Sequence, residues 1–143
     1  MKPNLTQVAL VFLGGALGTA ARYAVSLTMP QLGALFVVNL LGAAFLGWVN
    51  SSRVFESNSS KAFWGVGFAG GFTTMSGVAL WLVAAVDNAL FAPFTVLAMF
   101  ALGVFAYFAG LRLGRIGQSA EKASTESASA TSASGPTDEE VAE

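Results

Sequence analysis

The chain has no cysteine and no histidine. That excludes disulfides, thiol chemistry and imidazole ligands, and with them histidine proton relays and most zinc sites. Charge is scarce. Only 10% of the 143 residues are charged, where a soluble domain carries about 25%. The net charge of −1 gives no basic footprint for nucleic acid. Carboxylates are missing from every long apolar run: Glu56 and Asp87 fall between runs, and the other acids lie at Glu121 or beyond. Proton-coupled exporters and cation pumps usually work through an acid inside the membrane. No general acid–base pair or nucleophile constellation is visible either, so the chain does not read as an enzyme.

Apolar residues make up 55% of the chain, and the mean hydropathy is +0.65. This describes an integral membrane protein. Four segments are long enough to span: 7–27, 32–49, 62–86 and 94–111. The second is about 27 Å long as a helix, just enough to cross. The first is too long, and lacks the small-residue cleavage site, for a removable signal. The fold class expected is an all-α membrane protein with the third of its four helices broken near the middle. Residues 1–116 form the membrane domain. Residues 117–143 are rich in Ser, Ala, Thr and Glu, carry no aromatic residue, and read as a disordered tail.

Four spans put both termini on one side. Lys2, Arg53, Lys61, Arg112, Arg115 and Lys122 fall on that side and only Arg22 towards the other. Six against one orients both termini to the cytoplasm, in the cell membrane.

The stretch Gly67-Phe68-Ala69-Gly70-Gly71-Phe72-Thr73-Thr74-Met75-Ser76-Gly77 stands inside the third apolar run. Each glycine costs a helix interior roughly 1 kcal/mol against alanine. The hydroxyls of Thr73, Thr74 and Ser76 compete for backbone groups. Non-helical backbone at membrane depth survives only when buried in protein or lining a water-filled path. In broken helices of transport proteins, freed carbonyls bind cations and half-helix N-termini face anions. Close helix packing through small residues is the plainer reading of the glycines; the clustered hydroxyls favour an ion-related break.

Two more polar residues lie in the spans. Asn39 has apolar neighbours on both sides. Its amide fits an interhelical hydrogen bond or a donor to an ion. Arg22, near the end of the first span, fits snorkelling to the surface or a positive lure for an anion. Arg22, Asn39 and the Thr73–Ser76 group are all donors, which suits a small anion. Glycines on segments one, two and four (Gly14, Gly18, Gly42, Gly103 and Gly110) allow close backbone approach, and four short spans leave little room for a private pore. An oligomer, a dimer, is expected.

Three motifs carry a resemblance. They are Gly14-Gly15-Ala16-Leu17-Gly18-Thr19-Ala20-Ala21-Arg22-Tyr23, then Val38-Asn39-Leu40-Leu41-Gly42, then Gly67 to Ser76. In this order and spacing they resemble the Fluc (CrcB) family of small fluoride channels, over about Gly14 to Gly114. The resemblance implies an antiparallel, dual-topology dimer with fluoride paths along the subunit interface and a structural sodium ion at its centre. It implies that main-chain carbonyls of Gly70 and Thr73 hold the sodium. It implies Asn39, Ser76 and Thr74 on the anion path, with Arg22 at a vestibule. The chain departs from the family where two pore phenylalanines become Met75 and Val78, a threonine becomes Gly77, and the small hydroxyl after the second-helix glycine becomes Ala43. On the fourth helix, Thr95 and Met99 align with the family's Tyr and Ser. The implied lining is short of ring edges and hydroxyls.

Three functions compete on these residues. The first is a fluoride channel subunit that lowers cytoplasmic fluoride by passive export. The second is a non-conducting structural partner that orients a pore-bearing paralogue. The third, a small multidrug exporter of the four-span dimeric type, needs a glutamate within a span and finds none. The charge bias adds one expectation. A homodimer of inverted copies needs each chain to insert both ways, whereas this chain should insert one way. A dimer with an oppositely oriented paralogue, embedded in membrane lipid, follows.

Overall fold

The computed structural model describes residues 4–85 and 90–133. Among them every regular element is helical: α1 Leu5–Ser26, α2 Gln31–Ser51, a 3₁₀ turn Arg53–Phe55, α3 Asn58–Ser60, a π-helical segment Lys61–Ala69, α4 Gly70–Phe72, α5 Met75–Ala84 and α6 Ala92–Ala133. From α3 to α5 the elements make one interrupted span, Asn58–Ala84. Four helical units are thus long and apolar enough to cross a membrane, as the sequence led us to expect.

Pro30 caps the start of α2 with φ −57°. Pro93 sits in the first turn of α6, where a missing N–H costs nothing. The expected turn from Asp87 to Pro93 lies partly outside the described residues, and α6 begins one residue before Pro93. Helix also continues past Gly117, where the sequence suggested disorder, as far as Ala133. The physical reason is propagation. Once α6 is nucleated, each added residue gains one hydrogen bond without a new nucleus, and no glycine or proline interrupts 118–134. Residues 134–143, the rest of the expected tail, lie outside the described residues.

Two seams hold the bundle. Along the first, α1 lies on the π-helical segment and α4. A Cβ at Gly14 would collide with the Phe63 carbonyl, and one at Gly18 with the Phe68 carbonyl. From the other side, a Cβ at Gly67 would stand 2.7 Å from the Val11 carbonyl oxygen. Along the second, α2 lies on α6. Gly47 meets the Tyr107 carbonyl, and Gly110 meets the Ala44 carbonyl. In hydrocarbon there is no hydrophobic drive between helices, so backbone-to-backbone contact through small residues supplies the dispersion instead.

This corrects one inference from the sequence. Gly14, Gly18 and Gly110 make contacts inside the chain, and Gly42 is covered by the side chains of Thr73 and Phe72. Of the five glycines, only Gly103 faces open space. Packing glycines therefore say nothing about a dimer.

A small apolar core of Leu35, Val78 and Met99 ties α2, α5 and α6 together. An aromatic cluster closes the opposite end. Phe45, Trp48, Phe55, Trp64 and Phe68 make edge-to-face or tilted contacts with centroids 5.1 to 6.4 Å apart. It buries Phe55 and so anchors the loop that the sequence reads as simply polar. Elsewhere α1 and α6 turn Phe12, Leu17, Phe94, Leu97, Phe105 and Phe108 outward.

The seams predict unequal glycines. Gly110→Val forces backbone off backbone and should cost about 1–3 kcal/mol or more, seen as a lower thermal midpoint in detergent. Gly103→Ala should leave that midpoint within a degree or two.

Candidate functional site

The third span does not break where its glycines are. Gly67, Gly70 and Gly71 are helical, and no described glycine has positive φ. Gly67 and Gly71 instead admit α1, through Val11 and Gly15. The break is made by two threonines. Thr73 (φ −77°, ψ 157°) and Thr74 (φ −149°, ψ 116°) are extended, and α5 restarts at Met75.

One side chain holds that break. Asn39 Oδ1 accepts the Thr74 N–H at 2.8 Å, and Asn39 Nδ2 donates to the Thr74 carbonyl at 3.3 Å. In a continuous helix the Thr74 N–H would pair with the Gly70 carbonyl, and the Gly77 N–H with that of Thr73. Here Thr74 turns to Asn39, and Gly77 donates to Thr74 Oγ1 at 3.0 Å. The carbonyls of Gly70 and Thr73 thus lose their helical partners. Other groups tidy the rest: Thr73 Oγ1 donates to the Ala69 carbonyl at 3.0 Å, and Thr19 Oγ1 to that of Gly71 at 3.4 Å.

Thr74 is also the N-cap of α5, and its hydroxyl lies 3.2 Å from that of Ser76. The first N–H groups of α5 have no helical partner, and the helix dipole makes this end positive. A 540 Å³ cavity brings Thr74 and Ser76 together with Arg22, Thr19 and Tyr23. Half-buried Arg22 and the start of α5 therefore act on the same space, and both favour an anion.

Asn39 lines a different space. A 300 Å³ groove runs along α6 past Met75, Val78, Met99, Gly103 and Tyr107, with Asn39 and Thr73 at the break. Met99, Gly103 and Tyr107 recur every four residues on one helix face. Apart from Asn39, Thr73 and Tyr107, the residues lining this groove carry no hydrogen-bonding group stronger than a thioether. Asn39 has no free amide hydrogen to offer it: the second one meets Met99 Sδ at 3.4 Å. Val78 is in the core and Met75 is exposed. Thr95, aligned to the path by its sequence position, spends its hydroxyl on the Phe91 carbonyl at 3.1 Å.

A third cavity of 500 Å³ holds Gly70 and Thr73 with Gly42, Ala43 and Asn50. Gly70 is exposed, and a Cβ there would meet nothing within 4 Å. Freed carbonyl oxygens on an open face are the donors a hard cation takes.

The residues picked from the sequence therefore fall into three adjoining spaces joined at Thr73 and Thr74. Arg22, Thr74 and Ser76 share one, Asn39 looks into the second, and Gly70 and Thr73 edge the third. Two partners were missed. Thr19 follows Gly18 in the small-residue row and could have been suspected. Tyr107 takes a hydrogen bond from Asn50 Nδ2 at 3.2 Å and is two turns from Met99 on the same face. Met99 was named from the resemblance, but its sulfur contact with Asn39 leaves no sequence signal.

Removing the fork exposes its value. Asn39→Ala leaves the Thr74 N–H and carbonyl unpaired, at about 1–3 kcal/mol each. The yield of folded protein in detergent and its thermal midpoint should both fall, and they should fall for Asn39→Asp too, which keeps the acceptor for the Thr74 N–H but sets a second oxygen against the Thr74 carbonyl. An Asn39→Ala protein as stable as the parent would show that the break does not depend on the fork.

Residues 9–111 match the family model described as CrcB-like protein, Camphor Resistance (CrcB). The chain is 36% identical over 142 residues to Fluoride-specific ion channel FluC 2 of Corynebacterium jeikeium, covering 78% of this chain and 81% of that protein. Against Fluoride-specific ion channel FluC 2 of Leifsonia xyli subsp. xyli it is 38% identical over 121 residues, with 73% and 81% covered. A Fluoride-specific ion channel FluC from a Caulobacter species is 34% identical over 123 residues, covering 78% and 96%. The family match takes in the Asn39 fork, the break at Thr73 and Thr74, and all four spans as far as residue 111, so this multi-pass membrane chain belongs to the CrcB-like family.

Proposed function

We propose that the chain is a subunit of a fluoride channel that lowers cytoplasmic fluoride by passive export across the cell membrane. The observation that carries this reading is the Asn39 fork on Thr74, which fixes a half-helix N-terminus beside Arg22 in a chain whose relatives are named for fluoride conduction. Fluoride is small and strongly hydrated, so a path must replace its water with donors. Arg22 concentrates the anion at a vestibule. The hydroxyls of Thr74 and Ser76 and the amide of Asn39 then take over from water.

On the same reading the Gly70 and Thr73 carbonyls hold a sodium ion at the centre of an antiparallel dimer. A hard cation wants about six oxygens, so two carbonyls of one chain are a part-site, and an inverted partner facing the open side of Gly70 would add its own. The ion supplies positive charge that offsets freed carbonyls and ties two broken helices together.

A second reading has its own support. The groove along α6 is almost wholly apolar, Met75 and Val78 bring no ring edge, and both hydrogens of the Asn39 amide are engaged. A non-conducting partner that positions a pore-bearing paralogue fits those facts. Fluoride efflux from liposomes separates the two. The channel reading expects efflux that depends on this chain and that Asn39→Asp suppresses by putting negative charge in the path. No efflux through this chain with any natural partner leaves the structural role.

Orientation is the companion prediction. Reporters fused to the C-terminus should give almost only cytoplasmic signal, because basic residues crowd one side. The partner is then an oppositely inserted paralogue. Equal signal from both sides, with this chain expressed alone, would restore a homodimer.

A further inference from the structure

We propose that Met99 is a displaceable cap on the Asn39 amide and sets how readily the α6 groove accepts an anion. This rests on the channel reading and adds a residue to it. The Asn39 amide has two hydrogens. One is held by the Thr74 carbonyl at 3.3 Å, the other by Met99 Sδ at 3.4 Å. The carbonyl bond is structural, since breaking it opens the fork. The sulfur bond is different in three ways. Its acceptor is weak. It serves no backbone group. And it stands where Asn39, Met99, Val78 and Tyr107 all border the same 300 Å³ groove.

The consequence follows from comparing acceptors. A fluoride ion accepts an amide hydrogen far more strongly than a thioether does, because charged acceptors make the stronger bonds. An ion at that end of the groove therefore competes favourably for the hydrogen. The thioether has to yield, and methionine is suited to yield, with three rotatable bonds and an adaptable shape. Without an ion, the same sulfur covers the only amide hydrogen the groove could use and closes the groove with apolar surface. Met99 is 5% exposed and packs with Leu35 and Val78, so the capped state is the packed one. Displacement costs the N–H···S bond and some packing, and that cost is charged against each ion that enters. Met99 is thus a positioning residue for conduction, acting through Asn39.

Two substitutions separate the sulfur from the volume. Met99→Leu keeps the volume and removes the acceptor. Met99→Ala removes acceptor and bulk together, adds no hydrogen-bonding group, and leaves room for the anion. The test uses the full chain reconstituted with its natural partner, with fluoride efflux and the side-chain amide signals of ¹⁵N-labelled Asn39 as readouts. Met99→Ala should raise fluoride efflux roughly three- to tenfold, the range of one weak neutral hydrogen bond. Met99→Leu should shift one Asn39 amide proton and leave its partner proton, held by Thr74, in place. Efflux from Met99→Ala equal to that of a conducting parent overturns the proposal. So does an Asn39 amide unmoved by Met99→Leu. If neither parent nor variant conducts, the channel reading fails by itself. The cap is then decided by the amide signal alone, which needs no flux and, if Met99→Ala misfolds, can be read from Met99→Leu.

Discussion

A peptide group in the middle of a membrane has to be paired, and here one asparagine does it. The Thr74 N–H and carbonyl are both taken by Asn39. Without that fork the extended backbone at Thr74 would keep an unpaired N–H and carbonyl, and unpaired backbone groups in hydrocarbon are costly. The features that make the site interesting follow from this. Holding Thr74 out of the ladder releases the carbonyls of Gly70 and Thr73, starts α5 afresh at Met75, and leaves its positive end in the cavity of Arg22. Asn39 thus serves as interhelical glue, and the pore chemistry proposed for it is possible only because it is glue first.

The glycines do the complementary work. They do not bend the chain; they bring helices to backbone contact, α1 onto the π-helical segment and α2 onto α6. The wide π turns from Lys61 to Ala69 set the carbonyls of Phe63 and Phe68 against Gly14 and Gly18. π-helical turns are rare and cluster at functional sites. Here they lead directly into the short turn Gly70–Phe72 and the break. Tight seams on both sides keep that irregular backbone from sliding, which a break fixed by a single side chain requires.

Much of this was legible in the sequence, for identifiable reasons. Hydropathy located the spans because a bilayer imposes length and apolarity. Asn39 stood out because a lone amide among apolar residues has to find a partner. Arg22, Thr74 and Ser76 were read as donors, and they share one space. The break was expected within Gly67–Gly77, where glycines and hydroxyls stand together, and it falls at Thr73 and Thr74, on the hydroxyl residues rather than the glycines. Glycine's low helix propensity was outweighed by its use as a contact surface, a choice that depends on what α1 presents. The same tertiary effect turned Gly14, Gly18 and Gly110 from expected subunit contacts into internal ones. Met99 was visible only as a departure from a family pattern. That its sulfur meets Asn39 depends on the register of α6 against α2, fixed by Gly47 and Gly110, and no periodicity within either helix encodes that register.

The open side of the break points beyond a single chain. Carbonyls freed from a helix ladder need an acceptor's counterpart: a cation, water, or a donor on another molecule. Gly70 is exposed, with no neighbour within 4 Å of where a side chain would start, so this stretch of backbone lies on an open face among the described residues. Meanwhile α1 and α6, the outer helices, bury only 11% of their apolar windows, and lipid suits such faces without any partner. Exposed apolar surface is therefore poor evidence for a dimer in this protein, whereas backbone carbonyls freed at membrane depth pose a demand that lipid cannot satisfy. A second subunit and a cation shared with it would satisfy that demand. On the proposed function, that subunit would be one inserted the other way up.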